Sequence, residues 1–280
     1  MWKLYCSELQ MEETTMKKQS SYHNPSPLNF IENKLMPSVL PYSSMQLSEQ
    51  IHRTIQSKIG GKPYLPPKEK IPLTESGDGM FLLIQINFAE ARLPFPFPTD
   101  GVFQLYIDPI VLNNEAVPYN SVPQQLFETR YYQHPNIYST ELYVLQNCSN
   151  TSAIRQALGI QFQTRYEPVS FTDYRMQQFI QNTDIILFET QTGYPFEAIY
   201  EQYFLSAENK VGGYPYFIEK DIRSDDEALR IYDTMLFQIV SNEDDQIMIG
   251  NCGVIKLFIN KQSLLRKDFS NVFLFIEDYA

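Results

Sequence analysis

Two glutamines inside apolar segments are the first residues in this sequence whose chemistry needs an explanation. Gln85 lies within the run 80–88 and Gln238 lies within the run 234–240. A buried side-chain amide needs hydrogen-bond partners, because an unpaired one costs free energy. We expect each amide to bond to loop backbone, such as the Gly-Gly corner nearby. In the alternative, the two amides face each other and line a ligand cleft, which would include Gly61, Gln85, Gly213 and Gln238.

Acidic residues form a second candidate site. Asp225 and Asp226 are adjacent, and Glu243, Asp244 and Asp245 form a run. The run lacks the spaced ligands of an EF-hand calcium loop. A concentration of carboxylates raises the rate of association with a basic protein. We therefore predict an acidic patch of these five residues that binds a basic protein partner.

The residue types that most often carry catalysis or bind metals are sparse. His23, His52 and His134 are far apart and show no HxxxH or HExxH spacing, which argues against a metal site. Among the three cysteines, Cys252 in the sequence Gly-Asn-Cys-Gly is of most interest, but none has an obvious base partner. We therefore assign no catalytic, cofactor-binding or metal-binding residue, expect no cofactor, and favour a protein without enzymatic activity.

The elements that must position these residues occur twice. Three blocks return in the same order at an offset of 152 or 153 residues. The pairs are IGGKPY (59–64) with VGGYPY (211–216), FLLIQI (81–86) with TMLFQI (234–239), and GVFQLYID (101–108) with GVIKLFIN (253–260). Such self-similarity indicates a duplication. We predict an α+β fold, a tandem duplication of two similar half-domains whose mostly antiparallel sheets share one core.

Local patterns predict the individual elements. Leu47, Ile51 and Ile55 recur every four residues, which predicts a helix over 44–58 that ends at Gly60-Gly61. Short apolar or alternating runs predict strands at 80–88, 102–107, 119–132, 141–146, 234–240, 247–249, 253–259 and 272–276. Further helices are expected at 176–180 and 196–205, and the region 109–170 is the hardest to interpret.

We expect an N-terminal arm or helix over 1–43, followed by one domain over 44–280. Within that domain we place the first repeat at 44–108, a connecting region at 109–195, the second repeat at 196–260 and a C-terminal strand region at 261–280.

Composition limits the possible partners and compartment. The chain has 280 residues and a net charge of −11, which repels phosphate backbones and argues against nucleic acid. Its three cysteines are scattered and lack a CxxC pair, as is typical of a reducing compartment. Because residues 1–20 hold three acidic residues and no apolar core segment, we expect no signal peptide, and no apolar run is long enough to span a bilayer. We expect a cytoplasmic protein that does not bind membranes, and its oligomeric state is left open.

Several motifs resemble those of the YwqG-like bacterial proteins. In the second half these are VGGYPYF (211–217), LFQI (236–239), GNCGV (250–254) and DFS (268–270). In the first half, residues 59–64, 84–86 and 101–108 resemble the corresponding part of that family. The resemblance covers residues 50–280. It implies a single α+β domain built from two similar motifs and a family with no established reaction.

The sequence departs from the family pattern at three positions. The family usually has Asp where Val240 and Asn251 stand, and Gln where Glu219 stands. If those carboxylates ever formed an acidic site, this chain has lost it, which further disfavours an enzyme.

Two functional hypotheses follow. The first is a non-enzymatic, cytoplasmic protein-binding module; the resemblance implies an immunity-type role, in which the acidic surface masks a basic toxin. The alternative is a small-molecule-binding protein or degenerate enzyme with a cleft between the two repeats.

Overall fold

A single antiparallel sheet of ten strands forms the framework of the protein. The structure, a computed structural model, describes residues 29, 33–113, 121–136, 151–204 and 207–278. The strands are β1 (Leu40–Ser48), β2 (Lys58–Ile59), β3 (Phe81–Asn87), β4 (Val102–Ile107), β5 (Phe127–Tyr132), β6 (Leu158–Glu167), β7 (Lys210–Gly212), β8 (Thr234–Val240), β9 (Val254–Ile259) and β10 (Val272–Glu277). The α-helices are α1 (Phe88–Ala91), α2 (Pro109–Leu112), α3 (Asn182–Thr192), α4 (Phe196–Phe204) and α5 (Lys261–Leu265).

The predicted α+β class with two half-domains is wrong. The strands lie in the order β10-β9-β8-β7-β1-β6-β2-β3-β4-β5, so one curled sheet replaces two, and the fold is largely β. The centre of the sheet is where the two halves meet. There β1 pairs with β6 on one side and with β7 on the other, and β6 pairs with β2. Strands from both halves of the chain therefore alternate at the centre of the sheet.

β1 occupies part of the segment that was predicted to be a helix over 44–58. Met45 and Leu47 lie on the core face of the sheet and Ser44 on the other face, as alternation along a strand requires. The four-residue spacing that suggested a helix is not used, since Ile55 is buried in the loop 49–57 against Tyr64. The helix prediction failed because pairing with β6 and β7 satisfies the backbone of β1 along its length.

β6 is the strand that the sequence patterns missed. Its ten residues lie in the poorly interpreted region 109–170, and Ile160 and Phe162 face the core while Gln161 and Gln163 face the other way. The predicted strand over 119–132 is realised as β5, beginning at residue 127, and the predicted strand over 141–146 lies outside the described residues.

The apolar strands were predicted more successfully. β3, β4, β8, β9 and β10 confirm the strands predicted at their positions, and α4 confirms the helix predicted at 196–205. The pairing of β3 with β4 shifts register between Leu82 and Ile84, and that of β8 with β9 shifts between Met235 and Phe237. These sites are equivalent in the two sequence repeats, so the repeats share local geometry although they do not form separate sheets.

The two Gly-Gly corners adopt the tight turn expected of paired glycines. Gly60 and Gly61 have φ values of +67° and +74°, and Gly212 and Gly213 have +75° and +74°. Only glycine adopts such values without strain. A Cβ atom on Gly213 would also lie 2.1 Å from Oε1 of Glu167. The second corner therefore has no room for any side chain.

The two faces of the sheet differ in chemistry. One face builds the main core from apolar residues of both halves, such as Ile84, Phe103, Phe237 and Leu257. The other face carries buried polar residues at paired register positions: Lys58, Gln85, Gln104, Lys210, Gln238 and Lys256. Because directly paired residues share a face, these residues form polar rows across the strands.

The start of the described chain joins this framework directly. Leu35 packs in a second apolar cluster with Phe188 of α3 and Phe196 of α4, and residues 40–43 belong to β1. The predicted arm or helix over 1–43 otherwise lies mostly outside the described residues, and the predicted domain boundaries stay a prediction.

Candidate ligand-binding cleft

Gln85 and Gln238 are fully buried and each fastens one Gly-Gly corner. Oε1 of Gln85 accepts a hydrogen bond of 2.7 Å from the backbone N–H of Tyr64, and Oε1 of Gln238 accepts one of 2.7 Å from that of Tyr216. On its other side, each amide donates to carbonyl oxygens of the loop before its corner. Both amides thus connect the chain on the two sides of a corner.

The structure does not bring the four residues of the predicted cleft together. Gln85 lies on β3 and Gln238 on β8, and four strands lie between them. At about 4.8 Å per strand, the two amides are on the order of 20 Å apart. Gly61 belongs to the first Gly-Gly corner and Gly213 to the second. Gln85 therefore stabilises one corner and Gln238 the equivalent corner, and the four residues do not form one site.

The first acidic pair lies in the segment that leads into β8. Asp225 forms an exposed ion pair with Lys220 at 2.6 Å. Asp226 accepts from the backbone N–H of Ala228 at 2.9 Å and so caps the short 3₁₀ helix Glu227–Ile231. Both residues have local structural partners.

The second acidic group lies in the turn that follows β8. Glu243 and Asp244 are exposed, and Oδ2 of Asp245 accepts from the side chain of Asn242 at 2.9 Å. Partial burial, together with the neighbouring charge of Asp244, raises the pKa of Asp245. Since β8 has seven residues and spans about 20 Å, the two acidic groups lie at opposite ends of it and do not meet.

Buried ion pairs occupy the polar face near the second corner. Nζ of Lys210 lies 2.8 Å and 2.7 Å from the two carboxylate oxygens of Glu167, and both residues are buried. Glu167 also accepts from the backbone N–H of Tyr214 at 2.7 Å. Burial raises the pKa of Glu167, and the charge of Lys210 opposes that shift. Lys256 is buried against Glu277 in a similar pair, and burial lowers the pKa of Lys256 to about 8.

Glu208 is the centre of a polar cluster between β1, β6 and β7. It accepts hydrogen bonds from the hydroxyl groups of Tyr42 and Ser44, and Arg165 lies 3.5 Å away. Burial and the carboxylate of Glu208 raise the pKa of Tyr42 well above its usual range. Tyrosine and glutamate can catalyse proton transfer, but here Tyr42 donates its hydroxyl proton in a hydrogen bond to Glu208. The cluster therefore fastens the centre of the sheet.

A further buried network fastens the segment that precedes β8. Arg223 lies between Asp221 at 2.7 Å and Asp173 at 3.4 Å, and all three side chains are fully buried. The guanidinium group also lies 4.5 Å from the ring centroid of Phe258. This network holds the segment after the second corner against the sheet.

A cavity of about 540 Å³ opens between α1, the loop 49–57 and β6. Its charged or titratable lining residues are His52, Arg53, Glu90 and Arg92. Ile160, Phe162 and Ala89 supply an apolar part, and Gln56 and Gln161 complete the lining.

Glu90 joins two of the walls of this cleft. Its Oε1 lies 3.1 Å from Nη2 of Arg53, and its Oε2 accepts a 2.8 Å hydrogen bond from the backbone N–H of Ser57. The helix that carries Glu90 begins after Asn87, whose side chain accepts from the backbone N–H of Ala89 at 3.1 Å. The carboxylate thereby holds the loop 49–57 against α1.

Close contact with β6 fixes the path of the loop. A Cβ atom on Gly159 would lie 2.3 Å from the carbonyl oxygen of Gln50, so the loop passes directly over a position without a side chain. Gln56 braces the loop from within, since its amide accepts from the backbone N–H of His52 at 2.9 Å and donates to Gln50 at 3.3 Å.

Arg92 ends α1 in an unusual backbone conformation. Its φ and ψ of 49° and 40° place it in the left-handed region, which a non-glycine residue enters at some cost. Its side chain is exposed and lines the cleft. Of the charged or titratable lining residues, the sequence singled out only His52, whose spacing from the other histidines argued against a metal site. No spacing pattern connects Arg53, Glu90 and Arg92.

The other residues considered in the sequence do not form a site in the described ranges. No group of three or more His, Cys, Asp or Glu residues there is placed to hold a metal ion. Cys252 is exposed in its turn. Cys6, Cys148 and His23 lie outside the described residues.

Fold and site together define a largely β protein with an open charged cleft beside the centre of its sheet. Residues 57–277 match the model of a family described as a domain of unknown function, DUF1963. The chain belongs to this family. No curated protein matches the sequence. Within the described part of the chain, no helix is long and apolar enough to cross a membrane.

Proposed function

We propose that the protein binds a small molecule in the cleft between α1, the loop 49–57 and β6. The observation that carries this proposal is the cavity of about 540 Å³, a volume in the range typical of ligand sites, about 300–1,000 Å³. Its combination of apolar side chains with a few polar groups is also characteristic of such sites.

Binding fits this cleft better than catalysis. Among the described residues, Glu90 is the one carboxylate in the lining, and both of its oxygens already have partners in Arg53 and Ser57. The same part of the chain contributes no Ser, Cys, Thr or Lys to the lining that could act as a nucleophile. The remaining titratable residue, His52, has no carboxylate in the lining that is free to orient it.

Filling the cleft with a large side chain tests the proposal. Ala89 is exposed and lines the cavity, so Ala89→Trp would occupy ligand space without disturbing the core. Ala228 is also exposed but lies outside the cleft, which makes Ala228→Trp a matched control. A thermal-shift screen of a metabolite library should find ligands that stabilise the wild type and Ala228→Trp but not Ala89→Trp. Ligands that stabilise all three proteins equally, or no ligand at all, would contradict the proposal.

A second candidate function is binding of a basic protein by the acidic turn after β8. Glu243 and Asp244 are exposed, and partial burial, followed by the neighbouring charge of Asp244, raises the pKa of Asp245. The structure separates Asp225 and Asp226 from this turn, so the candidate surface is reduced to three residues. An immunity-type protein that masks a basic toxin is the role that this surface would serve.

Charge reversal tests this second candidate. Changing Glu243 and Asp244 to Lys should abolish the salt-sensitive recovery of a basic partner in affinity purification. The same reversal at Asp225 and Asp226 serves as the control and should leave recovery unchanged. Equal recovery with all the variants would rule out the turn.

We also propose a cytoplasmic location and a place among the YwqG-like members of the family. The scattered cysteines support the location, and the motifs at 211–217 and 250–254 support the affiliation.

A further inference from the structure

The charge of the cleft is opposite in sign to that of the protein. Arg53 and Arg92 contribute two positive charges and Glu90 one negative charge, so the lining is positive even when His52 is neutral. The whole chain carries a net charge of −11. A local positive region on an acidic protein attracts anions that the rest of the surface repels.

The negative charge in the lining is already compensated. Glu90 receives one hydrogen bond from Ser57 and an ion pair from Arg53. Arg53 uses one nitrogen on that carboxylate, and its side chain is 64% exposed, so its other N–H groups remain available to a ligand.

Arg92 is the cation without a counter-ion. Its side chain forms no ion pair with any other residue in the described ranges, and it lines the cleft from the C-terminal end of α1. The guanidinium group presents several N–H donors in a plane, a geometry that fits carboxylate and phosphate oxygens. An oxyanion between Arg92 and Arg53 would supply the missing negative charge.

The rest of the lining limits what the anion can carry. Phe162 is half-buried and Ile160 is buried, and both lie on the apolar face of β6. A bare inorganic anion would leave the exposed part of Phe162 in contact with water, whereas an apolar group on the ligand would cover it.

We infer that the cleft binds a small organic oxyanion, a carboxylate or phosphate ester attached to an apolar group. Arg92 and Arg53 contact its charged end, and Phe162 and Ile160 contact its apolar end. This inference rests on the proposed function, because it names the chemical class of ligand for the same cleft.

Three probes of similar shape test the inference: benzoate, phenyl phosphate and the neutral benzamide, each titrated at millimolar concentration by NMR or calorimetry. We expect one or both anions to bind more tightly than benzamide, and the difference to shrink as salt is added. The stronger anion identifies the preferred oxyanion. Arg92→Gln should weaken binding of the anion about tenfold and leave benzamide unchanged. Arg155→Gln, at an exposed arginine outside the cleft, should change neither.

The outcomes separate this inference from the proposed function. If benzamide binds as tightly as the anions, and Ala89→Trp blocks it, the cleft is a ligand site but the anionic class is wrong. If no probe binds, or if Arg92→Gln leaves anion binding unchanged, the inference is overturned. Failure of the proposed function is seen separately, when no ligand of any charge depends on Ala89.

Discussion

Lys58 and Lys210 occupy equivalent positions in the two sequence repeats, and both are buried in the sheet. Lys210 has the carboxylate of Glu167 as its partner. Lys58 instead donates to the carbonyl oxygen of Thr54 at 2.6 Å and forms no ion pair within the described ranges. Burial lowers the pKa of Lys58 to about 8, although the charge of Glu90 opposes that shift. Keeping a buried lysine charged therefore costs more free energy at position 58 than at the equivalent position 210, where Glu167 compensates the charge.

Because Lys58 has no carboxylate partner within the described ranges, its contribution to the free energy of unfolding should depend on pH. Because the pKa of Lys58 is lower in the folded than in the unfolded chain, the unfolded chain binds more protons between about pH 8 and pH 10.5. The contribution of Lys58 to stability therefore rises with pH across that interval and is least favourable below pH 8. Lys58→Met should stabilise the protein by about 2 kcal/mol at pH 7, and this advantage should disappear by about pH 10.5. Urea unfolding of both proteins from pH 7 to pH 10.5 measures the difference, and a constant difference would contradict the prediction.

The paired lysine should respond in the opposite way. Lys210→Met leaves the carboxylate of Glu167 buried without its cation, which should destabilise the protein by about 3–5 kcal/mol. The loss should shrink as the pH falls, because burial raises the folded-state pKa of Glu167 and the protonated form carries no charge. Adding Glu167→Gln should recover part of the loss.

Lys220→Ala is the matched control for that experiment. Lys220 forms an ion pair with Asp225 in which both side chains are more than half exposed, and such pairs contribute about 0–1 kcal/mol. Denaturant unfolding measures the free energy of unfolding of both variants. Similar decreases for Lys210→Met and Lys220→Ala would show that the buried pair contributes no more to stability than the exposed one.

At the scale of elements, sequence patterns predicted the strands that are buried on both faces. β4 and β9 are buried at every position, so their apolar runs have a single interpretation. β6 is exposed from residue 163 to residue 166, where neither face of the sheet is covered, so no apolar alternation marks that end of the strand. The pattern reflects burial, and it weakens where burial ends.

The corners were predicted and the cleft was not, for related physical reasons. Paired glycines at 60–61 and 212–213 indicate a tight turn with positive φ angles. This conformation involves only neighbouring residues, so it can be read from the local sequence. Arg53 and Arg92 are far apart in sequence and line the same cleft only because α1 and the loop 49–57 both lie against β6. No local spacing can encode a contact that depends on the packing of a third element.

The close packing around Gly213 in the second corner predicts the effect of adding a single methyl group there. Gly213→Ala should destabilise the protein strongly, because the new Cβ atom would meet the carboxylate of Glu167 and the backbone lies at φ +74°. Gly77→Ala is the control, since Gly77 has φ +88° with open space around it. The control should lose about 1–2 kcal/mol from backbone strain alone, and Gly213→Ala about 2 kcal/mol more from the overlap. Equal melting temperatures for the two variants would contradict the close approach of Glu167.

At the scale of the whole molecule, the family match and the sheet do not begin at the same place. The match starts at residue 57, whereas β1 lies before it, at the centre of the sheet. β1 pairs with β6 over its entire length and also with β7. The matched region alone therefore lacks the strand that connects the two halves.

A truncated chain tests this dependence. Residues 57–278 without β1 would leave β6 and β7 as unpaired edges, which are prone to aggregation. We expect that fragment to fail to fold cooperatively, while a fragment of residues 33–278 unfolds as the complete chain does. Circular dichroism and size-exclusion chromatography distinguish the two, and a stable monomer of 57–278 would refute the central role of β1.

The position of β1 has a consequence for the timing of folding in the cell. Tyr42 lies opposite Arg165 in β6 and Gly212 in β7, so the strand made first is completed by partners that are made much later. At typical rates of synthesis, roughly 10–30 s pass before the ribosome reaches residue 212. β6 is complete at residue 167, so β1 lacks both of its partners until then, and its edge toward β7 stays unpaired until residue 212 is made. The speed of translation is therefore a variable of folding for this protein.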